Sequence, residues 1–231
     1  MPSDARPYVD RQEAGRALVG RLAGYADRRD VAVLALPRGG VPVAVPVAQA
    51  LGAPLDVVVV RKLGLPGQPE LAMGAIAGVG GDVEIVHNQR VLTEARVSEE
   101  DFDAVYRTEL EELRRRENAY RDDRPAIAVR DRVVILVDDG VATGSTVLAA
   151  ITAIRHQRPA RVVVAVPIGS ARACTALERE ADEVICVRTP SPFYGVGQGY
   201  RDFSPTQDDE VRIALARVAD STTDSTGTSP R

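Results

Sequence analysis

The chain has 231 residues, 45% of them hydrophobic and 27% charged, with a formal net charge of −4, which suits one generous α/β domain and is short for two. Net negative charge argues against holding nucleic acid by bulk electrostatics, and no apolar run approaches the roughly 18 residues of a membrane span. The stretch from Met1 to Pro7 is polar and lacks the apolar core of a signal peptide, so a cytoplasmic location is expected, with neither membrane nor nucleic acid as partner.

Asp10 followed by Glu13 reads as a capping box, and Ala14, Leu18, Leu22 and Tyr25 then share one helical face. Residues 31–36 form a short, wholly apolar run, the pattern of a strand buried on both faces. Pro37, Arg38, Gly39 and Gly40 break it. A helix is expected over about 41–51, with Pro46 speaking against it and Gly52 as its stop. Residues 55–60 read as a second buried strand that runs into a Gly- and Pro-rich loop over 61–70. Apolar pieces at 75–79 and 83–87 flank Gly80 and Gly81, a hairpin signal. From Ser98 to about Arg121 a long helix carries Phe102, Tyr106, Leu110, Leu113 and Tyr120 on one stripe and charge on the other.

Beyond Asp131 the pattern alternates: strand 133–137, helix 145–156, strand 161–166, helix 170–180, strand 183–187. This defines an α/β fold with a mainly parallel twisted sheet flanked by helices. An irregular Gly/Pro-rich segment over about 188–206 and a final helix over 207–218 follow. Residues 220–231 are polar and low in complexity and read as a disordered tail, leaving 1–219 as a single domain. Cys174 and Cys186 sit in apolar helix and strand patterns, where a free thiol behaves as a small hydrophobe. His87 and His156 lack partners at ligand spacing, so no protein-built zinc site is expected. Among 29 basic residues Lys62 is the one lysine, and its place at a strand end beside Arg61 makes it a site candidate; the bland reading is chance placement in a composition that favours Arg.

Residues 134–146 carry the chemistry: four apolar residues, then Asp138 and Asp139, then Gly140, Val141, Ala142, Thr143, Gly144, Ser145 and Thr146 opening a helix. The strand delivers the two acids to its carboxyl end, where open α/β sheets bind ligands. The turn can aim backbone N–H groups and hydroxyls at one point, and the helix adds the positive end of its dipole, an anion site sized for a phosphate monoester. Gly144 lets the backbone approach closely. The acids would repel the phosphate and suit instead a pair of sugar hydroxyls. Neither the P-loop nor the dinucleotide-fold pattern is present.

This run resembles the phosphoribosyl pyrophosphate (PRPP) signature of type I phosphoribosyltransferases. The resemblance implies that Asp138 and Asp139 hold the ribose and that Ala142, Thr143, Gly144, Ser145 and Thr146 cradle the 5′-phosphate. It also implies that Arg38, Gly39 and Gly40 form a pyrophosphate loop, and that Arg61 and Lys62, with a flexible loop after them, neutralise the leaving diphosphate. Mg²⁺ is the implied cofactor, held mainly by PRPP, with Asp138 or Asp139 reaching it through water and no direct protein ligand. The resemblance covers about 31–190 and is weakest over the helical insertion at about 90–124, which fits a lid, an interface or extra core, the last two favoured.

Family members build a hood over the acceptor, and 188–206 occupies its place. Of nine aromatic residues in the chain, Phe193, Tyr194, Tyr200 and Phe203 fall within it. Aromatic rings can stack on a flat base; the alternative is a small core pinning the loop. Members using 6-oxopurines commonly carry an acid where this chain has Ala142, which disfavours hypoxanthine and guanine. The implied activity is Mg²⁺-dependent transfer of the phosphoribosyl group to a nitrogen acceptor, a nucleobase above all. A PRPP-sensing regulator and transfer to another kind of acceptor are the rivals, and a homodimer is left open.

Overall fold

The computed structural model describes residues 6–122 and 124–224. Five strands form a parallel sheet in the order β2-β1-β6-β7-β8: β1 (Val31–Ala35), β2 (Leu55–Val57), β6 (Val133–Val137), β7 (Arg161–Ile168) and β8 (Glu183–Arg188). Helices α1 (Arg11–Leu22), α2 (Gly40–Leu51), α5 (Ser145–His156), α6 (Ala171–Leu177) and α7 (Asp208–Asp224) flank it. The all-apolar strands have a direct cause. In β6, Val133, Ile135 and Val137 face one core while Val134 and Leu136 face the other, and β1 alternates likewise. Fully burying each such side chain contributes about 1.5–3 kcal/mol.

Local signals behave as their chemistry demands. Asp10 caps α1 by accepting from the Glu13 N–H at 2.8 Å, and Glu13 accepts in return from the N–H of Val9, one residue ahead of the cap. Pro46 lies inside α2, which ends at Gly52 in the left-handed conformation with φ 61°. Ser98 and Ser170 cap α4 (Glu99–Arg121) and α6.

Three expectations need correction. The apolar run 55–60 is two strands in two sheets, because β2 follows β1 only as far as β1 extends. The Val58 N–H still bonds the Ala35 carbonyl at 2.9 Å, and from Val59 the chain pairs elsewhere. Residues 61–70 are no loop: β3 (Val59–Leu65) and β4 (Gln68–Val79) form an antiparallel hairpin turning at Pro66 and Gly67, with Lys62 opposite Ala75. β5 (Asp82–His87) completes this second sheet. At the other end, α7 continues to Asp224, past the expected start of the tail; residues 225–231 lie outside the described residues.

The segment expected to be an insertion holds α3 (Gln89–Glu94) and α4, and α4 contributes to the core: Leu113 and Tyr120 are fully buried, and the helix packs on β3, β4 and α7. Its end is clamped by a buried ion pair. Arg121 donates from Nε to Asp56 on β2 at 2.8 Å and from its two terminal nitrogens to Glu117 at 2.7 Å and the Val57 carbonyl at 3.0 Å, while Asp56 also accepts the N–H groups of Val57 and Ile127. Asp56→Ala should therefore cost about 3–5 kcal/mol, since it leaves the buried guanidinium with Glu117 alone and deprives the Val57 and Ile127 N–H groups of their acceptor. Urea unfolding measures this, and a loss below about 1 kcal/mol, the worth of an exposed pair, would show that the clamp is dispensable.

Candidate functional site

The site collects where β1 and β6 end. Their register pairs Ala35 with Val137, so both strands stop at one level, and the Leu36 N–H bonds the Val137 carbonyl at 2.9 Å. The turn after β1, whose Pro37–Arg38 peptide is cis, then lies directly on the acids after β6. A Cβ at position 39 would collide with the Asp139 carboxylate, and one at position 40 would come within 2.7 Å of the Val137 carbonyl. Only glycine fits this approach.

Residues 140–146 turn from β6 into α5. Val141 is held by the Ile168 carbonyl and the Ser170 N–H, and the Ser170 hydroxyl donates to the Ala142 carbonyl at 2.7 Å. Gly144, at φ 80°, precedes α5 with no side-chain cap, so the first N–H groups of that helix point outward unpaired by the helix itself. Thr143, Ser145 and Thr146 are exposed around them, with the Thr143 and Ser145 hydroxyls 3.2 Å apart. This is a concave set of donors at a helix N-terminus, the arrangement that binds phosphate groups.

Asp138 and Asp139 are half-buried. Asp138 Oδ1 accepts the Asp139 N–H at 2.8 Å. Asp139 Oδ2 accepts from Arg11 Nε at 2.9 Å, an ion pair whose side chains are 11% and 16% exposed. Arg11 was absent from the sequence-based candidates, and its position directly after the N-cap of α1 gives no signal of this partner 128 residues away.

The three expected cations are near the site, but each meets a carboxylate. Arg38 is exposed and lies 3.8 Å from Asp208 at the start of α7. Arg61 converges on one oxygen of Glu109 on α4, Oε2, at 2.7 Å from Nε and 2.5 Å from a terminal nitrogen, with side chains 26% and 22% exposed. Lys62 lies 3.6 Å from Glu70, with side chains 52% and 98% exposed. Such an exposed pair is worth about 0–1 kcal/mol, so Lys62 is free to change partner, whereas Arg61 is held to α4 by a short, charge-assisted and mostly buried contact. A cavity of about 620 Å³ opens between the β3–β4–β5 sheet and the start of α5. Arg61, Lys62, Glu70, His87, Ser145 and Thr146 are among its walls, so Lys62 and the donor cradle face one space.

The aromatic residues of 188–206 divide. Tyr200 is 6% exposed, its hydroxyl donates to the Asp139 carbonyl at 2.5 Å, and its ring packs on Tyr8 and Phe203. Phe193 is packed against the same small cluster. These two are not presented for stacking; they pin the segment under the acid pair. Tyr194, 86% exposed, is the free ring.

A parallel α/β sheet with a phosphate-type cradle and an acid pair at its carboxyl edge defines a nucleotide- or sugar-phosphate-handling domain. The phosphoribosyl transferase domain profile matches residues 9–202, and the chain belongs to that family. Two curated Mycobacterium tuberculosis proteins, each provisionally named a phosphoribosyl transferase, are 49% identical over 211 residues, 91% of this chain. The chain spans about half of their length, 47%. A Thermus thermophilus protein of known crystal structure is 40% identical, with a TM-score of 0.79 over 92% of this chain and 99% of that one.

Burial drives the Asp138 carboxyl well above the ordinary aspartate range, and the neighbouring charge of Asp139 adds to this. Asp139 is raised as well, by burial, against the opposing hydrogen bond and charge of Arg11. An unfolded chain releases the Asp138 proton near 3.8, while the folded protein retains it to higher pH. The folded state therefore binds more protons over that window, and stability falls as pH rises from about 4 through the folded pKa. Asp138→Asn keeps an acceptor for the Asp139 N–H and removes the charge. It should melt higher than the parent at neutral pH, with a gap that opens as pH rises above about 4. Melting curves across pH check this; a gap independent of pH would show that Asp138 does not titrate in the folded protein.

Proposed function

We propose that this chain binds PRPP and transfers its phosphoribosyl group to a nitrogen nucleophile, releasing pyrophosphate. The observation that carries the reading is the meeting of the Gly39–Gly40 turn, the acid pair and the cradle at the level where β1 and β6 end. In this reading the 5′-phosphate takes the N–H groups and hydroxyls of Thr143, Gly144, Ser145 and Thr146. The ribose 2′- and 3′-hydroxyls donate to Asp138 and Asp139. The diphosphate lies toward the Gly39–Gly40 backbone, Arg38 and Lys62.

Mg²⁺ is compatible with this set of donors. Two carboxylates, one of them already paired with Arg11, cannot complete a shell of about six oxygens, so diphosphate oxygens and water would supply most of it. Asp138 and Asp139 would reach the ion through water. Bound there, the ion would neutralise part of the diphosphate charge and make it a better leaving group. The residues of this chain then position and stabilise. The bond from ribose C1 to the diphosphate oxygen breaks with its electron pair going to the diphosphate, and the acceptor nitrogen supplies the pair for the new C1–N bond and loses a proton to solvent. Fixed donors and charges aimed at the extra negative charge developing on the diphosphate provide the acceleration.

Two structural facts sharpen the roles. Arg61, committed to Glu109, supplies background potential to the cavity, while Lys62 is the cation able to turn to the diphosphate. With Phe193 and Tyr200 packed inward and Phe203 engaged by Tyr200 and Arg11, Tyr194 is the ring left to stack on a flat acceptor. So small an exposed aromatic surface also favours a second reading, a PRPP-sensing protein without transfer.

Purified protein with PRPP and Mg²⁺, offered a panel of nucleobases, should release pyrophosphate with at least one; saturable PRPP binding with no release across the panel would favour the sensor. Lys62→Ala should weaken PRPP and pyrophosphate about tenfold or more, while ribose 5-phosphate, which lacks the diphosphate, binds nearly as before. Lys62→Arg should recover part of the loss, since charge is kept but the compact ammonium becomes a planar fork. Titration calorimetry with both ligands decides, and equal weakening of the two would mark Lys62 as a contributor to hairpin structure alone. Tyr194→Ala should raise the KM for the acceptor and leave PRPP binding intact, consistent with a stacking contribution of about 1–3 kcal/mol.

A further inference from the structure

Arg11 is launched from a rigid point, the first turn of α1, which Asp10 and Glu13 cap from both sides. Its guanidinium makes three contacts that belong to different parts of the chain. Nε donates to Asp139 Oδ2 at 2.9 Å, a terminal nitrogen donates to the Ser204 carbonyl at 2.8 Å, and the group lies over the Phe203 ring at 4.1 Å from its centroid. Against the same oxygen, and 3.4 Å from Arg11 Nε, a Cβ at position 39 would stand, where there is no room for a side chain. Beneath it, the Tyr200 hydroxyl holds the Asp139 carbonyl at 2.5 Å. Asp139 is thus boxed on three sides by α1, the turn after β1, and residues 200–204. Among the described residues its second carboxylate oxygen, Oδ1, accepts no hydrogen bond.

A largely desolvated ion pair rarely stabilises a fold by itself, because desolvation offsets most of the attraction. Its effect here is geometric. One oxygen of Asp139 is tied down and the rotamer is locked, which leaves the other oxygen aimed outward with its lone pairs unused. We infer that Arg11 is a positioning residue for the ribose diol: it presents Oδ1 of Asp139 to a sugar hydroxyl and ties that carboxylate to the Phe203–Ser204 stretch. This rests on the PRPP reading of the site. Its consequence is that closure of residues 200–204 against α1 and the geometry of the sugar acceptor are one event, since a single guanidinium serves both.

The test is a ligand pair and a mutant cycle. Ribose 5-phosphate uses the sugar acceptors and the cradle, whereas inorganic phosphate uses the cradle alone. Calorimetric titrations of both are made on the parent, Arg11→Gln, Arg11→Lys, Asp139→Asn and the Arg11→Gln/Asp139→Asn double variant, each checked for folding by thermal melting. Arg11→Gln should weaken ribose 5-phosphate by about tenfold, equal to about 1.4 kcal/mol, and leave inorganic phosphate unchanged. Arg11→Lys should fall between, since a lysine cannot reach Asp139 and Ser204 together. The double variant should bind ribose 5-phosphate no more weakly than Asp139→Asn, because Arg11 acts through that residue. If Arg11→Gln does not stay folded, Arg11→Lys carries the comparison of the two ligands. Parental affinity in Arg11→Gln, equal weakening of both ligands, or additive losses in the double variant would each overturn the inference while leaving the PRPP reading in place. Failure of the parent protein to bind ribose 5-phosphate would overturn both.

Discussion

Two backbones converge where β1 and β6 end, and the site depends on how closely they approach. The parallel register brings both strands to one level, so the turn after the first must share space with the acids after the second. That sharing excludes any side chain at position 39 and sets the orientation of Asp139 from one side. Arg11 and the Tyr200 hydroxyl complete the enclosure from two other directions. The acids are consequently held close together and partly away from water. Burial keeps both carboxyls above the ordinary range, so the ligand-free protein carries an electrostatic cost at neutral pH that a ligand offering hydroxyl donors would relieve.

Charge is arranged in layers around that centre. Acids occupy the interior, donors without charge line the cradle, and cations stand at the rim, each meeting a carboxylate from a different element. These rim pairs are not equivalent. Exposure makes the Lys62–Glu70 contact weak and exchangeable, while burial and short distance make Arg61–Glu109 a tether for α4. Helix α4 therefore contributes beyond its packing. Through Glu109 it takes up one cation of the hairpin, and through Tyr120, which donates to Asp208, it orients the acid that meets Arg38.

Much of this was legible in the sequence, because the informative signals are local. All-apolar strands of five residues follow from having a core on each face of a parallel sheet, and the alternation of such strands with helices sets the class of fold. Capping by Asp10, Ser98 and Ser170 involves groups three residues apart, and the cradle is a short continuous run whose turn and helix start need nothing distant. The hairpin at Gly80 and Gly81 was visible for the same reason.

What the sequence left undetermined depends on partners far along the chain. From Val57 to Val60 the run is four valines in a row, and nothing within it marks Val58 as the place where the strand leaves its sheet; the length of β1 decides that. Residues 61–70 have the composition of a loop, yet the facing stretch up to Ala75 and Ile76 turns them into a hairpin, since a strand depends on the ladder opposite as well as on its own residues. Phe193 and Tyr200 could stack on a ligand as far as residue type goes; packing against Tyr8, Ala14 and Ile168 turned them inward. Arg11 is one of many arginines until the fold brings it, across 128 positions, to Asp139. Periodicity and turn chemistry act over a few residues and can be read in order, whereas the choice of ion pair, sheet partner and ring orientation is made only when distant segments compete for the same space.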